Sequence, residues 1–187
     1  MRILVTGFEI FGKNNSNPSM DIINNLKLDD VYTLLLPVSY DRVSDLLEDK
    51  IKEIKPDIVL SLGLAQGREY FSLELCALNY MKASISDNDN VLYNGKLIDC
   101  NKDKAYFTKF NIIDFNEYLN SNNIKSYVST NAGTYVCNRV YFYDLSNEDK
   151  YNYKSLFIHV PGYDIYNLDE QLESIKFIIN NLDNFIS

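Results

Sequence analysis

Cys137 stands in NAGTYVCNRV (131–140), where a glycine-containing turn runs into a thiol and helical sequence follows. A thiol at a helix start can ionise and attack a carbonyl, because free N–H groups and the helix dipole favour an anion there. Two further residues have complementary chemistry. His159 lies near the end of the apolar run SLFIHVP (155–161), and Glu74 follows the run DIVLSLG (57–63) and its loop LAQGR (64–68). Thiol, imidazole and carboxylate are the parts of a nucleophilic triad. The imidazole takes the thiol proton, and the carboxylate orients the imidazole and stabilises its charged form. A helix N-terminus and an imidazolium both lower a cysteine pKa, to about 3.5–7.5 in such sites, so a depressed thiol is expected at Cys137. Each residue also has an ordinary structural reading. A free cysteine packs as a small apolar group, a lone histidine among apolar neighbours serves the core, and glutamates are mostly solvated. Residue types alone leave both readings open.

The elements that must position these groups are legible as hydrophobic patterns. Short apolar runs at 2–7, 31–38, 57–63 and 155–161 end in glycine, proline or valine and read as buried strands, with a further strand at 124–130. Between them lie helical patterns. MDIINNL (20–26) is expected to be a helix with Ser19 as N-cap, and 40–55 carries Val43, Leu46, Leu47, Ile51 and Ile54 on one face before Pro56. Further helices are expected at 110–123 and 136–145. Leu168, Leu172, Ile175, Ile179, Leu182 and Ile186 recur at steps of 4, 3, 4, 3 and 4, which predicts one long amphipathic C-terminal helix. The stretch 70–83 fits neither pattern cleanly, and 86–97 reads as an exposed turn or hairpin. Strands alternating with helices indicate a single α/β domain over 1–187, built as a three-layer α/β/α sandwich around a mainly parallel, mixed sheet. Ligand sites in such folds lie in the crevice beyond the strand C-termini. Cys137, His159 and Glu74 are all expected to reach that crevice from strand ends.

Composition removes several function classes. The formal net charge is −8, with no basic stripe, so a phosphate backbone is repelled and nucleic acid is not an expected partner. No apolar run approaches the roughly 20 residues needed to span a bilayer, and the opening run is cut by glycine too early for a signal peptide. A soluble, intracellular protein without a membrane partner is expected. The three cysteines, Cys76, Cys100 and Cys137, form no CxxC pair and are expected to be reduced. With one histidine, a Cys/His zinc site would need all three cysteines, at spacings unlike a zinc ribbon, so no metal is expected.

Five segments occur in order: TGFEIFG…NPS (6–19), LPVSY (36–40), PDIVLSLGLAQGR (56–68), STNAGTYVCN (129–138) and FIHVP (157–161). Together they resemble the pyroglutamyl peptidases, also called pyrrolidone-carboxylate peptidases, over nearly the whole chain. The resemblance implies a cytoplasmic cysteine peptidase of α/β/α fold, usually a homotetramer, that removes N-terminal pyroglutamate from peptides without a cofactor. Matched by motif, the catalytic cysteine, histidine and glutamate fall on Cys137, His159 and Glu74. Phe8 and Phe11 match the phenylalanines that sandwich the lactam ring, and Asn17 lies in the loop that closes over it. The implied substrate-binding set also takes in Leu64, Ile85 and Val136.

This chain departs from the family pattern around the site. Leu75 and Ser84 stand where the family carries arginines, and Leu64 and Gln66 replace a glutamine and a glycine. Ile10 replaces a proline, and Lys13 a glycine. The nucleophile, base and orienting carboxylate remain while their electrostatic surroundings change. A thiol amidohydrolase acting on another cyclic or blocked amide, or a non-catalytic peptide-binding homologue, are the rival readings.

Overall fold

In the computed structural model the apolar runs become the strands of one six-stranded sheet. The structure describes residues 1–12 and 14–186, so Lys13 lies outside the described residues. The strands are β1 (Ile3–Phe8), β2 (Val31–Leu36), β3 (Ile58–Leu64), β4 (Phe71–Glu74), β9 (Ser126–Ser129) and β10 (Lys154–Val160). Their order across the sheet is β2-β1-β3-β10-β4-β9. Strands β2, β1, β3 and β10 are parallel, while β4 pairs with β10 in the antiparallel sense and β9 runs parallel to β4.

The alternation of side chains along each strand sends two apolar sets to opposite faces. On one face Ile3, Val5, Leu60 and Ile158 pack against helices α1 (Pro18–Asn25), α3 (Ile112–Ser121) and α6 (Leu168–Ile179). On the other, Leu4, Phe8, Val59 and Phe157 pack against α2 (Val43–Ile54) and α4 (Val136–Ser146). This is the expected three-layer α/β/α arrangement, with a mixed sheet whose four strands at one side are parallel. Short pieces complete it: β5 (Cys76–Leu78) pairs with β8 (Ala105–Phe107), and β6 (Met81–Lys82) with β7 (Asn94–Lys96). A one-turn helix α5 (Glu148–Tyr151) links α4 to β10. No helix among the described residues is long and apolar enough to cross a membrane.

Two helix boundaries differ from the sequence expectation. The N-cap of α1 is Asn17, whose side chain accepts from the Ser19 amide at 3.1 Å, and Ser19 lies inside the helix. Pro18 takes the first helical position, where its fixed φ and missing N–H are harmless, so the start moves upstream. At the C-terminus α6 stops at Ile179 and a 3-10 turn follows over Leu182–Phe185. Leu182 is nevertheless fully buried, and Ile186 bridges to Phe110. The apolar spacing therefore records which residues meet the core, and continues past the point where the helical hydrogen bonds end.

Candidate active site

His159 is buried on β10, on the face that carries Phe157, and its ring centroid lies 4.8 Å from that of Phe157. Across the antiparallel β10–β4 pair, His159 is in register with Ser72, which sets Glu74 diagonally on the same face. Imidazole and carboxylate meet there: His159 Nδ1 is 2.6 Å from Glu74 Oε1, and Glu74 is fully buried. The three site residues were expected to converge from the C-terminal ends of parallel strands. Glu74 instead arrives on a strand running the opposite way.

A group outside the expected triad completes the ion pair. Arg68 Nη1 donates to the same Glu74 Oε1 at 2.6 Å, from the loop after β3. Glu74 Oε2 is buried with no hydrogen-bond partner among the described residues, so both contacts fall on one oxygen. The Tyr141 hydroxyl donates to the Glu74 carbonyl at 2.9 Å and holds the backbone from the α4 side. Arg68 closes the quoted motif LAQGR, yet nothing in its local sequence names Glu74 as its partner.

Cys137 is the second residue of α4. Asn138 beside it is fully buried and ties this helix start to β5, accepting from the Leu78 amide at 2.8 Å and donating to the Leu78 carbonyl at 2.8 Å. The helix enters from Tyr135, which makes no side-chain cap. The first N–H groups of a helix have no partner within it, so here they stay free for an anion. The thiol lies over β3: a Cβ added to Gly63 would sit 2.9 Å from Cys137 Sγ and 2.9 Å from Phe157 Cζ. Only glycine leaves room for the sulfur at this point. His159 is the register partner of Gly63 on the neighbouring strand, about 4.8 Å across the sheet. No hydrogen bond joins the thiol to the imidazole, a looseness common before substrate binds.

The thiol does not have the depressed pKa expected from the sequence. Burial, and next the Glu74 carboxylate, push it up to about 12, while Arg68 and a backbone hydrogen bond pull the other way. Desolvation of the charged sulfur outweighs the helix start and disfavours the thiolate.

A narrow apolar cavity of about 10 Å³ opens beside Cys137. Phe8, Phe11, Asn17, Leu64 and Val136 from the expected binding set line it, with Val38 and Tyr135 added. The Tyr135 ring lies 6.2 Å from Phe11, and its hydroxyl donates to the Ser86 carbonyl at 2.9 Å. Asn17 is fully buried and committed to its own loop: its amide donates to the Glu9 carbonyl at 2.9 Å, and its Oδ1 accepts from Ser19. Ile85 does not line this cavity and is 49% exposed.

Three of the six departures, Leu75, Ser84 and Gln66, do not line the cavity. Leu75 packs with the core on the sheet face opposite Glu74, and Ser84 is exposed. Gln66 donates to Asn14 Oδ1 at 2.9 Å, linking the loop after β3 to the loop after β1.

Comparison with known proteins agrees with this architecture. The family model described as pyroglutamyl peptidase matches residues 1–174. A pyrrolidone-carboxylate peptidase of Brachyspira hyodysenteriae is 38% identical over 167 residues, covering 86% of this chain and 83% of that protein. Pyrrolidone-carboxylate peptidase 1 of Saccharolobus solfataricus is 33% identical, with 97% of this chain and 95% of its own length covered. The crystal structure of pyrrolidone carboxyl peptidase from Fervidobacterium islandicum superposes with a TM-score of 0.92 at 33% identity, over 100% of both chains. With the family's sequence pattern and its fold both present along the chain, this protein belongs to the pyroglutamyl peptidase family.

Proposed function

We propose that this protein is a cysteine exopeptidase that removes N-terminal pyroglutamate from peptides, with Cys137 as nucleophile, His159 as base and Glu74 as the group that orients it. One observation carries the reading. The His159–Glu74 contact of 2.6 Å lies beside a thiol at the start of an uncapped helix, at the edge of a cavity walled by Phe8 and Phe11. A pyroglutamyl ring is uncharged and flat, which suits two aromatic walls and free backbone donors.

The chemistry follows from these positions. The thiol proton passes to His159 as Cys137 Sγ attacks the amide carbonyl. Glu74 holds the imidazolium through Nδ1, leaving Nε2 for proton transfer. The free N–H groups at the start of α4 stabilise the oxyanion. His159 returns its proton to the leaving amine, and water then hydrolyses the thioester with His159 as base. Arg68 balances the Glu74 charge, so that thiolate, imidazolium, carboxylate and guanidinium sum to zero inside the site.

The cavity is far smaller than the roughly 300 Å³ of ordinary ligand sites, so its wall must part to admit the ring. Phe11, on the loop after β1, and Tyr135 are its half-buried aromatic walls. The assembly is a cytoplasmic homo-oligomer, a tetramer as in the family, with exposed Phe107 and Ile113 among its apolar surface.

Hydrolysis of a fluorogenic pyroglutamyl amide against an alanyl amide tests the reading. Only the first is cleaved, and Cys137→Ala abolishes cleavage, whereas Cys76→Ala and Cys100→Ala remain active. Equal cleavage of both amides, or near wild-type turnover in Cys137→Ala, overturns it.

A further inference from the structure

A second cleft of about 190 Å³ adjoins the reaction cavity, and Leu64 lines both. Its other walls include Asn14, Ser16, Gln66, Gly162 and Asp164. It therefore lies among three loops: the one after β1, the one following Gly63, over which the thiol sits, and the one following His159. This rests on the proposed function, because the direction of the substrate comes from the chemistry. The ring occupies the Phe8–Phe11 cavity, and the leaving amine must face His159 to receive its proton. The residue after pyroglutamate then continues past His159 toward the loop at 161–164.

The cleft is built to meet a polar side chain. Gln66 and Asn14 bind one another across it at 2.9 Å. The Asp164 carboxylate folds back over Gly162, so closely that a Cβ on Gly162 would collide with it. The loop itself is anchored: Gln171 donates to the Pro161 carbonyl at 3.2 Å, and the Tyr163 hydroxyl donates to Asp21 at 2.6 Å. Asp164 is exposed and accepts hydrogen bonds only. We infer that this cleft binds the side chain of the residue after pyroglutamate, and that Asp164 selects side chains ending in N–H donors over acidic and apolar ones.

Three peptide amides that differ only after pyroglutamate separate the outcomes: glutaminyl, glutamyl and norleucyl. Glutamine and glutamate have nearly the same shape, but only glutamine offers an N–H donor to a carboxylate. Wild type is expected to cleave the glutaminyl peptide with kcat/KM about three- to tenfold above the glutamyl one, with the norleucyl peptide between. Asp164→Asn should bring the glutamine-to-glutamate ratio close to one, and added salt should lower it in wild type. A flat or reversed order in wild type, or an unchanged ratio in Asp164→Asn, overturns the subsite while cleavage itself upholds the proposed function. Cleavage of none of the three overturns that function and the subsite with it.

Discussion

Glu74 Oε1 receives both the imidazole of His159 and the guanidinium of Arg68, each at 2.6 Å. The two contacts do different work. In the proposed mechanism His159 carries the proton, so His159→Gln removes the base while keeping some hydrogen bonding. Its kcat should fall by about 10²–10⁴, with a smaller fall for Glu74→Gln, since orientation is easier to replace than proton transfer. A His159→Gln protein that turns over normally but unfolds readily would make the histidine a core residue. Arg68 acts through Glu74. The carboxylate raises the Cys137 thiol and the guanidinium lowers it, so removing Arg68 leaves the carboxylate unopposed. Attack requires loss of the thiol proton, so the rising limb of the pH profile of kcat/KM should move to higher pH in Arg68→Gln. The rate at pH 7 should drop roughly tenfold, with part restored by Arg68→Lys. An Arg68→Gln profile that is lower but not displaced would assign the arginine to packing.

Helix α4 and strand β3 hold the site at a second level. Asp144 lies two turns after Cys137 on α4 and is fully buried. Ser61 of β3 donates to its Oδ2 at 2.8 Å, and Thr6 of β1 donates to Ser61 at 3.0 Å, while Asp144 Oδ1 has no partner among the described residues. Burial raises the Asp144 carboxyl well above its usual range, and Glu148 adds to this. A carboxyl raised in the folded state gives stability that is full below its unfolded pKa, about 3.9, and is lost as pH rises through the folded value. Asp144→Asn removes that titration. The Tm of wild type relative to that of Asp144→Asn should therefore decline as pH is raised from 5 to 9. Parallel Tm curves for the two proteins would mean that Asp144 does not titrate on unfolding.

At the scale of the molecule, the sheet order brings β10, β3 and β4 together at one crevice and separates the two cores. Several large apolar side chains stay outside both: Phe107 is 60% exposed, Ile113 64% and Leu92 52%. Aromatic and apolar surface of this kind is enriched at subunit contacts. Light scattering at micromolar concentration should give a multiple of 21.7 kDa, four times that mass for the tetramer. A mass equal to one chain would overturn the assembly.

Much of this was legible in the chain itself. Helix α2 follows from its apolar period, and strands β3 and β10 from unbroken apolar runs that are buried along their length. The motif around Cys137, together with the other segments in their order, carried the resemblance to the family that the whole chain bears out. Other features needed the assembled sheet. His159 and Glu74 are 85 residues apart, and only the antiparallel setting of β4 brings them to one face. Arg68 looked like the end of a glycine loop until that same strand supplied its carboxylate. Asn17 took the cap expected of Ser19 because Pro18 opens the helix, and the chain past Asn180 kept the apolar rhythm of α6 without its hydrogen bonds. The thiol pKa reversed for the same kind of reason. A helix start is a local feature that favours an anion, but the burial and the buried carboxylate that oppose it come from strands distant in sequence. Local pattern determines which residues seek the core and which could react, whereas pairing direction and desolvation arise only between distant segments.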